Sequence, residues 1–248
     1  MYHAFGARDA ERDPFSLFVR PEDLERQLRF LTRYFRPVGL DALLTGPLPT
    51  RSVLVTIDDG YASTLEVAAP LLRRHRVPAI LFVCPGRLAG TSAWMPEMPD
   101  VPLLSPDQVV EVSRMGIEIG AHGMDHRRLT GLAPGELEEQ VAGSRSAIAD
   151  LLGAPPRAFA YPEGLWDPAA VEATRRAGFE AGFSVHRPGG RFAIPRTPVT
   201  RRDSFATFRV KTVPGFNALF RATEGHPRLR RLAARLARQR PSSPPDPP

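Results

Sequence analysis

Residues 51–57 read RSVLVTI and are followed directly by Asp58, Asp59 and Gly60. The run is short, apolar and rich in β-branched residues, which predicts a buried strand, and the glycine permits a sharp turn at its end. The two carboxylates have two interpretations. They cap a strand-to-helix turn, or, because successive strand side chains point to opposite sides, one binds a metal ion while the other stays free.

Short apolar strands alternate with helices on both sides of this run. Further strands are predicted at residues 79–83, 117–121, 158–161, 182–185 and 193–199. Helices are predicted at residues 20–35, 65–75, 105–115, 133–152 and 168–177. The third helix has the N-cap Ser105 followed by Pro106. This alternation predicts repeated β-α units around a parallel sheet, and at least five such units favour a closed or nearly closed barrel.

The bulk composition is that of an ordinary globular protein. The chain has 248 residues, of which 42% are hydrophobic and 24% charged, which suits one large α/β domain or two small ones. Cys84 is the single cysteine, so an intramolecular disulfide is excluded. It follows the apolar run 79–83 and is expected to be a small buried side chain.

The charge is basic, with a formal net charge of +6 and a pI of about 10.3. A basic protein of this kind can attract nucleic acid, anionic lipid or acidic glycans. The alternative is that arginine is used in place of lysine on solvent-exposed faces and has no binding role. Lys211 is the only lysine. No zinc-finger spacing, RNA-binding aromatic signature or helix-turn-helix is present, so we expect no nucleic-acid partner.

The chain ends carry little information about function. No signal peptide or continuous membrane-spanning segment is evident, so the chain as written is expected to be cytoplasmic. Residues 227–240 could form a basic amphipathic helix that lies on an anionic membrane, docks on the barrel or stays mobile. Residues 241–248, PSSPPDPP, are expected to be disordered. The oligomeric state is left open.

A second polar segment, GAHGMDHRRL, follows the predicted strand 117–121. His122 and His126 are spaced i, i+4, which on a helical turn places both imidazoles on one face. The alternative is a surface loop with two unrelated histidines. Together with Asp59, the pair offers two nitrogens and one carboxylate oxygen, the ligand set of a catalytic zinc site with open positions. Asp125 is expected to lie beside the ligands without being one.

A third segment, FAYPEGLWD, occupies residues 159–167. Its Pro-x-Gly turn follows a predicted strand, where backbone N–H groups can point into a site and stabilise an oxyanion. The alternative is an ordinary turn.

The three motifs TIDDG, HGMDH and FAYPEG occur in an order that resembles the polysaccharide deacetylases, the NodB-homology group also known as carbohydrate esterase family 4. The resemblance covers residues 2–199. It implies a distorted (β/α)7 barrel and zinc, or another divalent ion such as Co²⁺ or Ni²⁺, on Asp59, His122 and His126. It also implies Asp58 as general base and the backbone N–H of Glu163 as oxyanion donor.

The chain departs from the family pattern at three points. Ala160 occupies the position of an arginine that tunes the base in many relatives, and Glu163 occupies the position of an aromatic residue. The late histidine that acts as general acid has no clear counterpart, and whether His3 reaches the site is left open. The candidates for the acid or the tuning charge are His186, Arg196 and Arg157. Candidates to line a sugar groove are Tyr161, Pro162, Trp166 and Trp94.

The resemblance implies a metal-dependent hydrolase that removes N-acetyl groups from an acetylated glycan or glycan precursor. Three alternatives remain open: an O-acetyl esterase, a small-amide hydrolase, and a glycan-binding homologue with impaired catalysis. The expected organisation is a catalytic domain over residues 1–210, a basic helical extension over 211–240 and a tail over 241–248.

Overall fold

The structure is a computed structural model that describes residues 1–185, 187–213 and 216. Its backbone divides into two compact units, the first running from Met1 to Arg202 and the second beginning at Asp203. In the described residues the second unit contains one helix, α8 (Phe205–Lys211), which begins at the N-cap Ser204. The predicted helix 227–240 and the predicted tail 241–248 lie outside the described residues.

The first unit is built from short strands and helices in alternation. Its strands are β1 (Ala4–Phe5), β2 (Phe18–Val19), β3 (Arg36–Pro37), β4 (Ser52–Val53), β5 (Val55–Ile57), β6 (Ala79–Val83), β7 (Glu118–Ala121), β8 (Ala158–Ala160), β9 (Ala181–Ser184) and β10 (Ile194–Pro195). Its α-helices are α1 (Pro21–Tyr34), α2 (Leu40–Thr45), α3 (Ala69–His75), α4 (Pro106–Arg114), α5 (Pro134–Glu138), α6 (Ser144–Leu152) and α7 (Pro168–Arg176). Two π-helical turns, Thr64–Ala68 and Glu139–Gly143, and two 3₁₀ turns, Pro85–Arg87 and Pro162–Gly164, complete the elements.

Six parallel strands form the central sheet in the order β10-β9-β8-β7-β6-β5. The first two residues of the chain close this sheet into a ring. Tyr2 N donates to Thr56 O (2.8 Å) on the β5 side, and Val199 N donates to Met1 O (2.9 Å) on the β10 side. Six strands and this N-terminal segment occupy seven strand positions around the barrel, which confirms the predicted distorted (β/α)7 barrel.

The predicted helix starts agree with the structure. The Ser105 side chain accepts from Gln108 N and the Gln108 side chain accepts from Ser105 N, so that the start of α4 is a complete capping box. In α1, Leu24, Leu28 and Leu31 are buried, as their helical spacing predicts. Among the described residues, no helix is both long and apolar enough to cross a bilayer.

The structure differs from the elements predicted from the sequence in three places. The predicted strand 51–57 is two strands in different sheets, because the chain changes partner at Leu54: β4 pairs with β3, and β5 pairs with β6. The predicted helices 65–75 and 133–152 each contain a π-helical turn. The predicted strand 193–199 is paired in the central sheet only at β10.

The barrel interior is filled by aromatic and aliphatic side chains. Phe82 on β6 and Phe183 on β9 are buried, with ring centroids 5.4 Å apart, and they pack with Ile80 and with the small side chains of Ala158 and Ala160. Burial of one such aromatic side chain stabilises the fold by about 1.5–3 kcal/mol. This core supports the polar residues at the carboxyl ends of the strands.

Candidate active site

The predicted polar residues meet at the carboxyl ends of three strands. Asp58 and Asp59 follow β5, His122 follows β7, and the Pro162–Gly164 turn follows β8. A cavity of about 930 Å³ opens at this end of the barrel and is lined by both aspartates, both histidines and Glu163. This is the end of a parallel β/α barrel at which catalytic residues are found.

Asp59, His122 and His126 converge on one point. The Nε2 atoms of the two histidines each lie 3.3 Å from Asp59 Oδ1, and the three ligand atoms lie within 4.8 Å of one another. Two ligands that are each about 2.1 Å from a tetrahedral zinc ion are roughly 3.4 Å apart. The spacing of the three side chains therefore fits a divalent metal ion.

The orientation of His122 and the charge of Asp59 also fit a metal ligand set. His122 Nδ1 donates to the Ala160 carbonyl at 2.7 Å, which fixes the ring so that Nε2 faces Asp59. Burial raises the pKa of Asp59, but the neighbouring imidazoles hold it well below its ordinary value, so the carboxylate is ionised. Among the described residues, the buried Oδ1 atom of Asp59 has no hydrogen-bond partner. A buried ionised oxygen that lacks such a partner is the place that a cation would occupy.

The two histidines approach each other through a loop. The predicted helical turn at residues 122–126 is wrong: the segment after β7 is an irregular bend, and Gly123 (φ 75°) and His126 (φ 68°) both have left-handed backbone conformations. Asp59 (φ 74°) is also left-handed, so the direction of its side chain is set by a tight turn and not by strand alternation.

Arg196 is the charge that contacts Asp58. Its Nη1 donates to Oδ1 at 2.6 Å and its Nη2 donates to Oδ2 at 2.8 Å, and both side chains are buried. The guanidinium also lies over the rings of Phe82 and Phe183. Arg157, the other candidate, instead pairs with Glu118 and Asp41 at the amino-terminal end of the strands.

The ion pair determines the state of Asp58. Burial alone raises the pKa of this carboxyl, but the charges of Arg196 and His122 outweigh burial and hold the pKa below its ordinary value. Asp58 is therefore ionised at neutral pH and can accept a proton. Because the pair is bidentate, it also fixes the plane of the carboxylate beside the metal site.

Glu163 lies at the mouth of the cavity with a left-handed backbone (φ 58°). Its carboxylate accepts from Arg128 Nε at 2.9 Å, so the extra negative charge at this position is compensated by an arginine. The left-handed residue turns the chain at the mouth of this cavity.

The predicted sugar-contacting residues divide into two groups. Trp94 lines the cavity and stacks on His126, with ring centroids 4.7 Å apart and planes 19° apart. Tyr161 is fully buried and donates to Phe192 O at 2.7 Å, and Pro162 is buried beneath Gly123. Trp166 packs against the loop after β9, where Nε1 donates to Arg187 O. These last three residues are not among those that line the cavity, and Tyr161 and Pro162 are too buried to contact a bound sugar. The role of Trp166 in a sugar groove stays a prediction.

His3 lines the same cavity as Asp58 and Asp59. Burial lowers the pKa of His3, against the charges of Asp59 and Asp58, which raise it, and the pKa lies below its ordinary value. The sequence shows Tyr2-His3 near the first strand but does not show that this segment closes the barrel. His186, a candidate acid, lies outside the described residues.

Two further features were not predicted. Apolar side chains form much of the cavity lining: Met1, Phe15, Leu17, Trp94, Met95, Pro96 and Pro198. Gln140, which is buried, accepts from the backbone of the loop between the two histidines. The one feature of the sequence that points to Gln140 is that it is a polar residue on the helix face that carries the buried residues Leu137 and Val141.

Comparison with known proteins identifies a family whose sequence profile matches the chain. The sequence profile described as polysaccharide deacetylase matches residues 45–182, more than half of the chain. The chain belongs to the polysaccharide deacetylase family. This membership confirms the resemblance carried by the three motifs, and with it the prediction of a hydrolase.

Curated relatives have similar names. YxkH of Bacillus subtilis (strain 168), whose name refers to this family, is 25% identical over 88% of this chain and 71% of its own length. The poly-β-1,6-N-acetyl-D-glucosamine N-deacetylase of Staphylococcus epidermidis is 26% identical over 69% of this chain and 62% of its own length. Its Staphylococcus aureus (strain MRSA252) counterpart is 24% identical, and the match spans half of that protein.

Solved structures share the fold. IcaB from Ammonifex degensii superposes with a TM-score of 0.71 at 27% identity, covering 85% of this chain and 94% of IcaB. The Streptococcus pyogenes deacetylase PplD superposes with a TM-score of 0.74 at 20% identity, covering 86% of this chain and 96% of PplD. Both comparisons support the barrel.

Proposed function

We propose that this chain is a metal-dependent deacetylase that hydrolyses the N-acetyl group of an amino sugar within a polysaccharide, with zinc as the metal. The observation that carries the proposal is the convergence of Asp59, His122 and His126 beside a separate buried carboxylate, Asp58. A bound metal ion supplies Lewis-acid polarisation of the acetamide carbonyl and lowers the pKa of a water molecule. The chain supplies the base, the acid and the orientation.

Asp58 acts as the general base. Its oxygens are ionised and held in one plane by Arg196, so they accept the proton of the attacking water without first changing rotamer. General bases of this kind contribute roughly 10²–10⁴-fold to the rate. The Glu163 N–H group is assigned to stabilise the negative charge that develops on the acetyl carbonyl oxygen.

His3 is assigned as the general acid. Because burial lowers the pKa of His3, its imidazole is mostly neutral at neutral pH and must take up a proton before it can donate one. Breaking the amide bond requires a proton on the leaving nitrogen, and the imidazole of His3 lines the same cavity as Asp58. In this assignment the base Asp58 follows β5, and the acid His3 lies in the N-terminal segment that pairs with β5. Arg196 is excluded as the acid because an arginine side chain does not give up its proton in proteins.

The substrate class is suggested by the relatives. The Staphylococcus proteins are named as N-deacetylases of poly-β-1,6-N-acetyl-D-glucosamine, which makes β-1,6-linked N-acetylglucosamine oligomers the first substrates to test. A cavity of about 930 Å³ with many apolar lining residues can hold a sugar ring and part of its neighbours. Apolar side chains suit the C–H faces of sugar rings.

The proposal is tested by acetate release from a panel of substrates with the zinc-loaded protein. The panel contains β-1,6- and β-1,4-linked N-acetylglucosamine oligomers, O-acetylated xylan and small cyclic amides. We expect release from the N-acetylated oligomers and a loss of roughly 10²–10⁴-fold in Asp58→Asn. Equal release by wild type and Asp58→Asn on every substrate would refute catalysis, and release only from xylan would identify an esterase.

A further inference from the structure

The loop that joins the two histidine ligands is held from two sides. On one side, the Gln140 side chain accepts from Met124 N at 3.0 Å and from Asp125 N at 3.4 Å. On the other side, Gly86 N donates to Met124 O at 2.8 Å, and Arg87 Nε donates to Asp125 O at 3.1 Å. The N–H and C=O groups of Met124 and Asp125 thus have partners outside the loop.

The loop needs such support because it has no regular structure of its own. Gly123 and His126 both have positive φ angles, and for His126 this conformation is unfavourable. The imidazole of His126 reaches Asp59 only while that backbone conformation is maintained. His126 is also more exposed than His122, whose ring is fixed by the Ala160 carbonyl.

A distortion of the neighbouring helix accompanies the contact. The π-helical turn Glu139–Gly143 separates α5 from α6, and Gln140 lies within this turn with 1% of its surface exposed. π-Helical turns inside α-helices are often found at functional sites. Gly143, at the end of the same turn, leaves space for Met124, because a Cβ atom there would lie 3.2 Å from Met124 Cε.

We propose that Gln140 is a positioning residue for the metal site, which preorganises His126 by holding the backbone of residues 124 and 125. Gln140 touches neither the ligand atoms nor the substrate cavity, so it acts only through the loop. The inference rests on the proposed metal site and identifies a determinant of its affinity that lies on a different element from the ligands. Partners of this kind typically change metal affinity by about 10- to 100-fold when they are removed.

The test compares three substitutions in the full chain. Gln140→Met removes the acceptor at similar length, and Gln140→Glu keeps an acceptor oxygen. Gln108→Met is the matched control, because the Gln108 side chain also accepts a backbone N–H, but from Ser105 and not from the loop between the histidines. Zinc affinity is measured by competition with a chromogenic chelator, the Co²⁺ absorption spectrum reports ligand geometry, and thermal unfolding of the metal-free proteins reports folding.

We expect Gln140→Met to bind zinc about 10- to 100-fold more weakly with an altered Co²⁺ spectrum. Gln140→Glu and Gln108→Met should keep the wild-type affinity and spectrum. Wild-type zinc affinity in Gln140→Met would overturn the inference, as would an equal loss in Gln108→Met or in Gln140→Glu. A wild-type protein that binds no metal would overturn the proposed function and the inference with it. If the wild type binds zinc, a loss of affinity in Gln140→Met can be assigned to Gln140 itself.

A second variant covers the case in which Gln140→Met does not fold. Gly86 is exposed, and a Cβ atom there would lie 2.8 Å from Met124 O, so Gly86→Ala displaces the same loop from the opposite side. Gly135→Ala is its control, because nothing lies within 4 Å of the added atom. If zinc binding is weaker in Gly86→Ala but not in Gly135→Ala, the position of the loop determines the zinc affinity. Equal affinity in both variants contradicts this.

Discussion

Arg196 and Asp58 form a buried bidentate ion pair, with N–O distances of 2.6 and 2.8 Å, although 138 positions separate them in the sequence. The pair joins the two ends of the central sheet, since Asp58 follows β5 and Arg196 follows β10. It therefore forms only when the barrel is closed. The base of the proposed reaction is oriented by the same contact that links the sheet edges.

Substitution of Arg196 by methionine should destabilise the protein and abolish most activity. Removal of one partner of a buried ion pair leaves an uncompensated charge and typically costs about 3–5 kcal/mol. Arg157→Met is the control, because the partly exposed pair of Arg157 should contribute only about 0–1 kcal/mol. Urea unfolding of the two variants measures the difference, and a similar loss of stability in both would contradict the assigned role of Arg196.

Each histidine ligand should be required for stoichiometric metal binding. His122→Ala and His126→Ala each remove one of three protein ligands, so bound zinc should fall well below one ion per chain. Metal analysis after dialysis measures the occupancy, with His75→Ala, on α3, as the control. Full occupancy in both ligand variants would rule out the site. Treatment of the wild type with a chelator should abolish acetate release, and added zinc should restore it.

Much of this site could be predicted because its residues are local in sequence. Asp58, Asp59, His122 and His126 each lie directly after a strand or a few residues beyond it, and parallel strands bring such positions to the same edge. The choice between Arg157 and Arg196 could not be made in this way. It depends on which end of the strands each arginine occupies after the barrel has closed.

The error on Tyr161 has a different origin. Residues 158–161 alternate, and Ala158 and Ala160 face the barrel core, so Phe159 and Tyr161 share the opposite face. The alternation of the strand therefore predicts that Tyr161 points away from the barrel core, although its place in the motif FAYPEG suggests a role in the site. The left-handed turns at Asp59 and His126 were not predictable, because non-glycine residues rarely adopt them.

Substitution of His3 by glutamine should impair catalysis without impairing metal binding. If His3 protonates the leaving amine, acetate release from an N-acetylated oligomer should fall by about 10²–10⁴-fold. Zinc affinity should be unchanged, because His3 is not among the three ligands. An ester with a good leaving group needs little protonation and should be hydrolysed at nearly the wild-type rate. Equal losses on the amide and on the ester would show that His3 has another role.

Substitution of Trp94 should affect both substrate and metal, because this side chain lines the cavity and stacks on His126. Aromatic pairs contribute about 0.5–1.5 kcal/mol, so Trp94→Ala should weaken zinc binding by roughly 2- to 13-fold. The KM for oligomers should rise as well, since an apolar surface is lost. Trp94→Phe retains a ring over His126 and should restore most of the zinc affinity while the KM remains raised. Competition titration and initial-rate kinetics measure the two quantities separately, and unchanged values of both in Trp94→Ala would exclude this dual role.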